Sequence, residues 1–251
     1  MQMHHHSLKK LSSTMLFIAL SSVLAACGGG GGGGSDNSAT AIDTTQLKGR
    51  WVTASGITPA VTAVVVPEAS GTANAWLLAQ DASRLVKLVV RSDGSTTGKS
   101  YALSQGNATG QAVTGQVTAA LTSTPKSISF TGVNAGVIAL SLSDALAAPA
   151  VQADAEGTWR ATLGGNAQTI QWSVAATGAL SGSATSGCSY TGGISAIAST
   201  AAYSVQLNES CPDGTKTAFG GIATLNASKS GLTVVLASAD EARGAAVFFS
   251  K

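Results

Sequence analysis

Three cysteines carry the most reactive side chains of this 251-residue chain: Cys27, Cys188 and Cys211. A cysteine sulfur can attack an electrophile, ligate a metal, pair in a disulfide or carry a covalent lipid, and its surroundings decide which. Cys27 ends an apolar run near the N-terminus, whereas Cys188 and Cys211 lie in the second half of the chain. The first cysteine therefore has a different setting from the other two.

The segment before Cys27 has the features of a secretory signal peptide. Lys9 and Lys10 form a basic start, and the apolar stretch Met15–Ala26 ends in small residues. This stretch is shorter than the roughly 20 apolar residues that a membrane-spanning helix needs. We therefore predict that residues 1–26 are a signal peptide. In the simplest case its removal leaves Cys27 unmodified.

The tetrapeptide Leu24-Ala25-Ala26-Cys27 resembles the lipobox of bacterial lipoproteins. This resemblance implies that Cys27 is a lipid attachment site, its sulfur carrying a diacylglycerol and its new amino group an acyl chain. Lipoproteins retained at the inner membrane commonly have aspartate after the cysteine, and here Gly28 follows. By that resemblance the protein is lipid-anchored to the outer membrane, on its surface or periplasmic face.

Removal of residues 1–26 changes the composition that bears on function. All three histidines disappear with Lys9 and Lys10, so 12 of the 14 basic residues remain against 12 acidic ones. Without histidine, Ser-His and Cys-His catalysis are excluded, and two further cysteines are too few for the usual zinc sites. A neutral body also lacks the basic patch that binds nucleic acid. We expect no enzyme activity, catalytic residue, metal, cofactor or nucleic-acid partner.

Cys188 and Cys211 are expected to form a structural disulfide, because an oxidising compartment favours their pairing. Closing a loop of this length stabilises a fold by about 3 kcal/mol in the chain-entropy model. The alternative is a redox-active thiol pair, but the chain lacks the C-x-x-C spacing typical of such pairs.

The residues after Cys27 predict a flexible tether over 27–46. Seven glycines, Gly28–Gly34, are followed by small and polar residues that offer little apolar surface to bury. Such a segment behaves as a random coil. A phosphate-cradling loop would need a strand before the glycines and a helix after them, and the sequence predicts neither.

The remaining chain divides into two halves that begin alike. Gly49-Arg50-Trp51 opens the first half, and Gly157-Thr158-Trp159 opens the second. We predict β domains over 47–143 and 156–251, joined by a linker over 144–155.

Alternation of apolar and polar residues predicts strands throughout both halves. Ile170, Trp172 and Val174 alternate with polar residues, and turn sequences separate about eight such runs in each half. The expected fold is all-β, with two tandem antiparallel up-and-down barrel-like halves; β-sandwiches are the alternative. The tryptophans either fill these barrels or line a ligand pocket.

Two further likenesses connect the halves. Val113–Ala119 resembles Tyr190–Ala196, which supports the repeat. The hairpin-like segment Val64–Leu78 resembles Val234–Phe248, although one lies early in its half and the other closes the chain. In a closed barrel the first and last strands are neighbours, so a permuted copy of one hairpin is compatible with the fold.

Other groups with chemical potential have structural interpretations. Asp93–Ser100 approximates a phosphate-binding P-loop but has the wrong glycine spacing and leads into a strand, so a hairpin turn is expected. Glu68, Asp240 and Glu241 could hold calcium or act as a glycosidase pair. Because they lie at predicted hairpin tips, we expect solvated turn residues.

The chain resembles tandem-repeat, Gly-tethered outer-membrane lipoproteins of uncharacterised function from beta-proteobacteria. The resemblance rests on the lipobox, the two Gly-x-Trp openings, and the segments Gly187–Gly192, Gly220–Ala223 and Arg243–Phe249. It implies a non-enzymatic role in surface interaction or envelope structure, with the membrane as lipid-mediated partner and a protein partner at the cell surface. The Gly-x-Trp motif also resembles the first strand of lipocalins, which implies the alternative of a carrier for a small apolar ligand. A hydrolase using carboxylates is the least favoured hypothesis.

Overall fold

The structure, a computed structural model, describes residues 41–103, 108–134, 136–144, 147–163 and 168–251. The predicted signal peptide, Cys27 and most of the predicted tether lie outside the described residues. From residue 41 onward the chain belongs to one compact unit.

Barrel 1 is formed by the first eight strands, each antiparallel to its neighbour. Its last strand returns to the first, where Trp51 pairs with Leu142 and Val52 with Ser141. The strands are β1 (Gly49–Val52), β2 (Val61–Pro67), β3 (Ala73–Ala79), β4 (Arg84–Val90), β5 (Ser95–Ala102), β6 (Ala108–Ala120), β7 (Ser127–Asn134) and β8 (Gly136–Leu142).

Barrel 2 repeats this arrangement with the next eight strands and closes where Arg160 pairs with Ser250. A helical turn, α1 (Gln152–Ala155), precedes it. The strands are β9 (Gly157–Leu163), β10 (Gln168–Val174), β11 (Ala179–Ala184), β12 (Ser189–Ala196), β13 (Tyr203–Ser210), β14 (Lys216–Leu225), β15 (Gly231–Ser238) and β16 (Arg243–Ser250). The predicted all-β, up-and-down barrel fold is confirmed, and the sandwich alternative is not adopted.

Period-2 alternation places one apolar face of each barrel strand inside. In β10, Ile170, Trp172 and Val174 are buried while Gln171 and Ser173 are exposed, as predicted. Each barrel has its own interior cluster, and the largest fully buried side chains include Trp51, Trp159, Tyr203 and Phe130. Since burying one large apolar side chain contributes about 1.5–3 kcal/mol, these interiors dominate stability.

The Gly-x-Trp openings close one end of each barrel in the same way. A 3₁₀ turn (Thr44–Leu47) precedes β1, and the indole nitrogen of Trp51 donates to the carbonyl of Leu47 at 2.9 Å. In barrel 2, Trp159 donates to the carbonyl of Ala155 in α1 at 2.8 Å. Both bonds span four residues, so the chain must turn sharply between acceptor and donor.

The glycine of each Gly-x-Trp motif makes this turn. Gly49 has a φ of +146° and Gly157 a φ of +122°, a region of conformational space that side chains disfavour. A Cβ on Gly49 would also lie 2.7 Å from Leu142 Cδ1. The motif therefore encodes the closed barrel end rather than a reactive site.

The folded body begins earlier than the predicted tether boundary of 46. Ile42 donates its amide to the carbonyl of Ser92 at 2.6 Å, and the buried Thr44 hydroxyl donates to the carbonyl of Gly71 at 3.0 Å. Asp43 caps the 3₁₀ turn through its side chain. Asp43 and Thr44 resemble a tether in composition, but they belong to the folded turn that accepts the hydrogen bond of Trp51.

The two internal likenesses do not join equivalent strands. Val113–Ala119 lies in β6, the sixth strand of barrel 1, whereas Tyr190–Ala196 is in β12, the fourth strand of barrel 2. The second pair, β2–β3 and β15–β16, contributes to the contact between the barrels. Burial at successive positions in β2, β3 and β15 accounts for their apolar runs, whereas β16 keeps exposed positions between its buried ones.

The barrels pack against each other through an apolar cluster framed by polar contacts. Lys87 pairs with Glu241 at 2.6 Å, and the Tyr101 hydroxyl donates to the carbonyl of Glu241 at 3.1 Å. Gly244 lies under the Tyr101 ring, where any Cβ would clash. The cluster comprises Val64, Val66, Trp76, Leu85, Tyr101, Ala108, Ala202, Ile222, Val235 and Ala237.

Trp159→Phe is expected to destabilise the protein more than Trp172→Phe. Both changes shrink a buried ring, but only the first removes an indole hydrogen bond, because Trp172 Nε1 has no partner among the described residues. The difference in unfolding free energy should be about 1–3 kcal/mol, the cost of a buried carbonyl left without its donor. Urea denaturation measures it, and equal losses would contradict the proposed closure.

Candidate ligand-binding site

The end of barrel 2 opposite α1 opens into a cavity of about 380 Å³. Strand β9 runs from the closed end, at Gly157, to Leu163 at the cavity wall. The apolar walls come from inward-facing residues of several strands: Ile170, Trp172, Leu207, Leu236 and Val247. Barrel 2 is therefore filled at one end and hollow at the other.

Trp172 lines this cavity and contacts two other aromatic rings. Its ring lies 4.4 Å from that of Phe249 and 6.2 Å from that of Tyr190, measured between centroids. Gly182 pairs with Trp172 across β10 and β11, and a Cβ there would come within 2.6 Å of Trp172 Cδ1. Glycine inside a strand is unfavourable by itself, and here it gives the indole room to lie against the neighbouring strand.

The indole nitrogen of Trp172 is a buried donor without an acceptor among the described residues. Trp172 is 1% exposed. Most buried polar groups in proteins have a partner, and leaving one unpaired costs about 1–3 kcal/mol. The indole nitrogens of Trp51 and Trp159 each donate a hydrogen bond to a backbone carbonyl. Trp172 therefore differs from them in having an indole donor without a partner among the described residues.

Two polar residues lie on strands that follow β10 around the barrel: Tyr190 on β12 and Glu209 on β13. Gly182 pairs with Tyr190, and Tyr190 pairs with Glu209 on β13. Burial, with the adjacent Glu209 carboxylate, raises the pKa of Tyr190 to about 12.

Arg243 supplies the positive charge at the rim. Its guanidinium lies 5.5 Å above the Phe219 ring and donates to the hydroxyl of Thr217. Asp213 and Glu209 also line the cavity. The rim thus combines both signs of charge, while the walls below it are apolar.

A disulfide joins Cys188 to Cys211 at the same end of barrel 2, with their Cα atoms 4.0 Å apart. It links the turn after β11 to the turn after β13, and Cys211 lines the cavity. The expected pairing is therefore present. Cys188, Cys211 and Glu209 have ligand atoms within 4.8 Å of one another, but the two sulfurs are bonded to each other and offer no thiolate.

The remaining sequence candidates occupy structural positions. Glu68 accepts from Asn74, and Asp240 accepts from Ser238 and the amide of Ala242, which lowers the pKa of Asp240. Glu241 pairs with Lys87 between the barrels. Asp93 accepts from the amide of Ser95 in a hairpin turn rather than a phosphate loop. These groups support turns and packing.

The sequence did not indicate a site role for Tyr190, Glu209 or Arg243. Tyr190 belongs to an internal repeat and to the family resemblance, and Arg243 to the family resemblance alone. The detectable signal was a charged Glu209 on the inward face of β13, two residues after the buried Leu207. Among the described residues, no helix is long and apolar enough to cross a bilayer.

Comparisons with known proteins add little to this picture. No family model matches the chain, and no curated protein matches it. One solved structure, described as a "putative outer membrane protein" from Bacteroides fragilis NCTC 9343, aligns with 83% of this chain and 99% of its own. It shares 11% identity at a TM-score of 0.23, too low to support an argument about fold or function.

Reduction of the disulfide is expected to lower the unfolding free energy by about 3 kcal/mol, because the unfolded chain regains the freedom of the loop between Cys188 and Cys211. Urea denaturation with and without reductant measures this change. The double variant Cys188→Ser/Cys211→Ser is the control and should not respond to reductant. An unchanged midpoint for the reduced native chain would contradict a stabilising role.

Proposed function

We propose that this protein is a non-enzymatic, lipid-anchored outer-membrane protein whose barrel 2 carries a small ligand. The ligand has a largely apolar body and a hydrogen-bond acceptor. The observation that carries the proposal is the open cavity of barrel 2, whose wall includes Trp172, a residue with a buried indole nitrogen that has no partner among the described residues. Of the two roles that the sequence leaves open, this geometry favours the carrier over a purely structural one.

The dimensions and chemistry of the cavity support a small molecule. Its volume of about 380 Å³ lies within the roughly 300–1,000 Å³ of typical ligand pockets. Such pockets combine apolar walls with a few placed polar groups. Here the polar groups are the Trp172 indole, the Tyr190 phenol beside Glu209, and Arg243 at the rim.

Binding of prodan, a fluorescent naphthyl ketone, tests the carrier proposal. The ketone oxygen can accept from Trp172, so Trp172→Phe should weaken binding by about tenfold, the worth of a buried hydrogen bond. Trp51→Phe is the matched control because Trp51 lies in barrel 1 and already has its acceptor. Undetectable binding, or equal affinity in native protein and Trp172→Phe, would argue against a ligand at this site.

The lipid anchor rests on the sequence Leu24-Ala25-Ala26-Cys27 and on the glycines after it. Each buried lipid CH₂ contributes about 0.8 kcal/mol, so several acyl chains on one cysteine give stable attachment. The glycine-rich segment then separates the barrels from the bilayer.

Cys27→Ser is expected to move the protein from the membrane fraction to the soluble fraction, because it removes the lipidated sulfur. Fractionation of cells followed by immunoblotting measures the distribution. Replacement of the neighbouring Gly28 by Ala is the control and should leave the protein membrane-bound. Persistent membrane attachment of the Cys27→Ser variant would refute the anchor.

A second candidate function is protein interaction at the cell surface. Ile57 and Val137 are 53% and 66% exposed, and both line a cavity of about 510 Å³ on barrel 1. Exposed apolar side chains grouped at one site are typical of interaction surfaces. This role requires that the barrels lie on the outer face of the cell. Protease treatment of intact cells should therefore digest the protein, and resistance to digestion would exclude the role.

A further inference from the structure

A second cavity lies where the two barrels and their linker meet. Its volume is about 340 Å³. Barrel 1 contributes Arg50 of β1, the linker contributes residues 148–151, and barrel 2 contributes Tyr203 and the turn after β14. We call this cavity the inter-barrel cleft. Neither barrel forms it alone.

Arg50 is the unusual residue of the inter-barrel cleft. Its Nη1 donates to the carbonyl of Leu225 at 3.0 Å, while its buried Nε has no acceptor among the described residues. Burial lowers the pKa of the guanidinium, which reflects the cost of holding its charge away from water. A buried charge is normally paired with an opposite charge, because desolvation without compensation is expensive.

The acidic residue of the cleft is already engaged elsewhere. Asp154 pairs with Lys229 at 2.8 Å, and the other ion pair of the described residues joins Lys87 to Glu241. Arg50 therefore has no carboxylate partner within the described part of the chain. The cleft holds two cationic groups and one anionic group, which leaves one positive charge uncompensated.

The other walls of the cleft are mostly apolar. Pro149, Ala150 and Val151 form one side, and the Tyr203 hydroxyl is occupied in donating to the carbonyl of Val151 at 2.8 Å. A guanidinium binds carboxylates through parallel N–H···O bonds, and apolar walls favour a hydrocarbon chain attached to the anion. This combination selects an organic acid over a fully hydrated inorganic ion.

The two copies of the Gly-x-Trp motif show that the motif does not itself require the arginine. The position between glycine and tryptophan is Arg50 in barrel 1 and Thr158 in barrel 2. Thr158 is exposed, whereas Arg50 is partly buried against barrel 2. Barrel closure thus does not require arginine at this position.

We infer that the inter-barrel cleft binds the carboxylate of a small organic acid, with the Arg50 guanidinium as its charged partner. The site is separate from the cavity of barrel 2 and uses none of its residues. It also gives the tandem arrangement a binding role, since both barrels are needed to form it.

Titration calorimetry with hexanoate tests this inference on the mature chain. Hexanoate should bind the native protein, and Arg50→Gln should weaken binding by about tenfold or more, as expected for the loss of a charge-assisted hydrogen bond. Arg160→Gln is the matched control, because Arg160 is exposed and its Nε donates to Gln171 at 3.1 Å. That variant should bind hexanoate as the native protein does.

Two further ligands identify which part of the acid is recognised. Hexanol has the same hydrocarbon chain but no charge. It should bind at least about tenfold more weakly than hexanoate, because it cannot form the charge-assisted hydrogen bond with Arg50. Inorganic phosphate should not compete at equal concentration. Undetectable hexanoate binding, equal binding of hexanol, or binding of phosphate alone would overturn the inference.

The unfolding midpoint of each variant establishes that the binding data come from folded protein. Should Arg50→Gln fail to fold, Arg50→Lys replaces it. Lysine keeps the charge but loses the planar donor fork, so hexanoate affinity should fall at least about threefold. Native affinity in the folded Arg50 variant would contradict the assignment of Arg50 as the anion partner.

Discussion

One hydrogen bond, from a tryptophan indole to a carbonyl four residues earlier, sets the form of each barrel. In barrel 1 it joins Trp51 to Leu47, and in barrel 2 it joins Trp159 to Ala155. The bond draws a short helical turn across one end of the barrel and buries the ring completely. In barrel 2 a cavity opens toward the other end, and Trp172, which pairs with Trp159 across β9 and β10, lies on its wall.

The packing between the barrels depends on strands that are apolar on both faces. The β2–β3 and β15–β16 hairpins meet there, and Lys87, Tyr101 and Glu241 connect the edge of the contact. This packing also brings Arg50 next to the turn after β14. Barrel 2 alone therefore forms its cavity, whereas both barrels are needed to form the inter-barrel cleft.

Much of the fold is predictable from sequence because its causes are local. Strand alternation in β10 and the Gly-x-Trp openings depend on a few adjacent positions. The Cys188–Cys211 pairing follows from the number of cysteines that remain after Cys27. The folded body begins before the predicted boundary, since Asp43 and Thr44 are tether-like in composition and acquire their role only in the turn before Trp51. The likeness of Val113–Ala119 to Tyr190–Ala196 does not follow the repeat either, because the first segment is in the sixth strand of barrel 1 and the second in the fourth strand of barrel 2.

The candidate sites could not be predicted in this way, for a physical reason. Trp172 has the same inward position as a filling residue, and only the closed barrel shows that its nitrogen has no acceptor among the described residues. Arg50 resembles any outward charged residue of a strand until barrel 2 covers it. Whether a polar group is satisfied depends on residues distant in sequence, here 175 positions away for Arg50 and Leu225.

The central claim is that Trp172 is the hydrogen-bond donor of a ligand site in barrel 2. Nuclear magnetic resonance of the indole N–H signals, assigned by single Trp→Phe variants, tests it most directly. On addition of prodan the Trp172 proton should move downfield as it gains an acceptor, while the Trp51 and Trp159 protons stay where they are. A Trp172 signal that does not move at saturating prodan, or equal shifts of all three, would contradict the account.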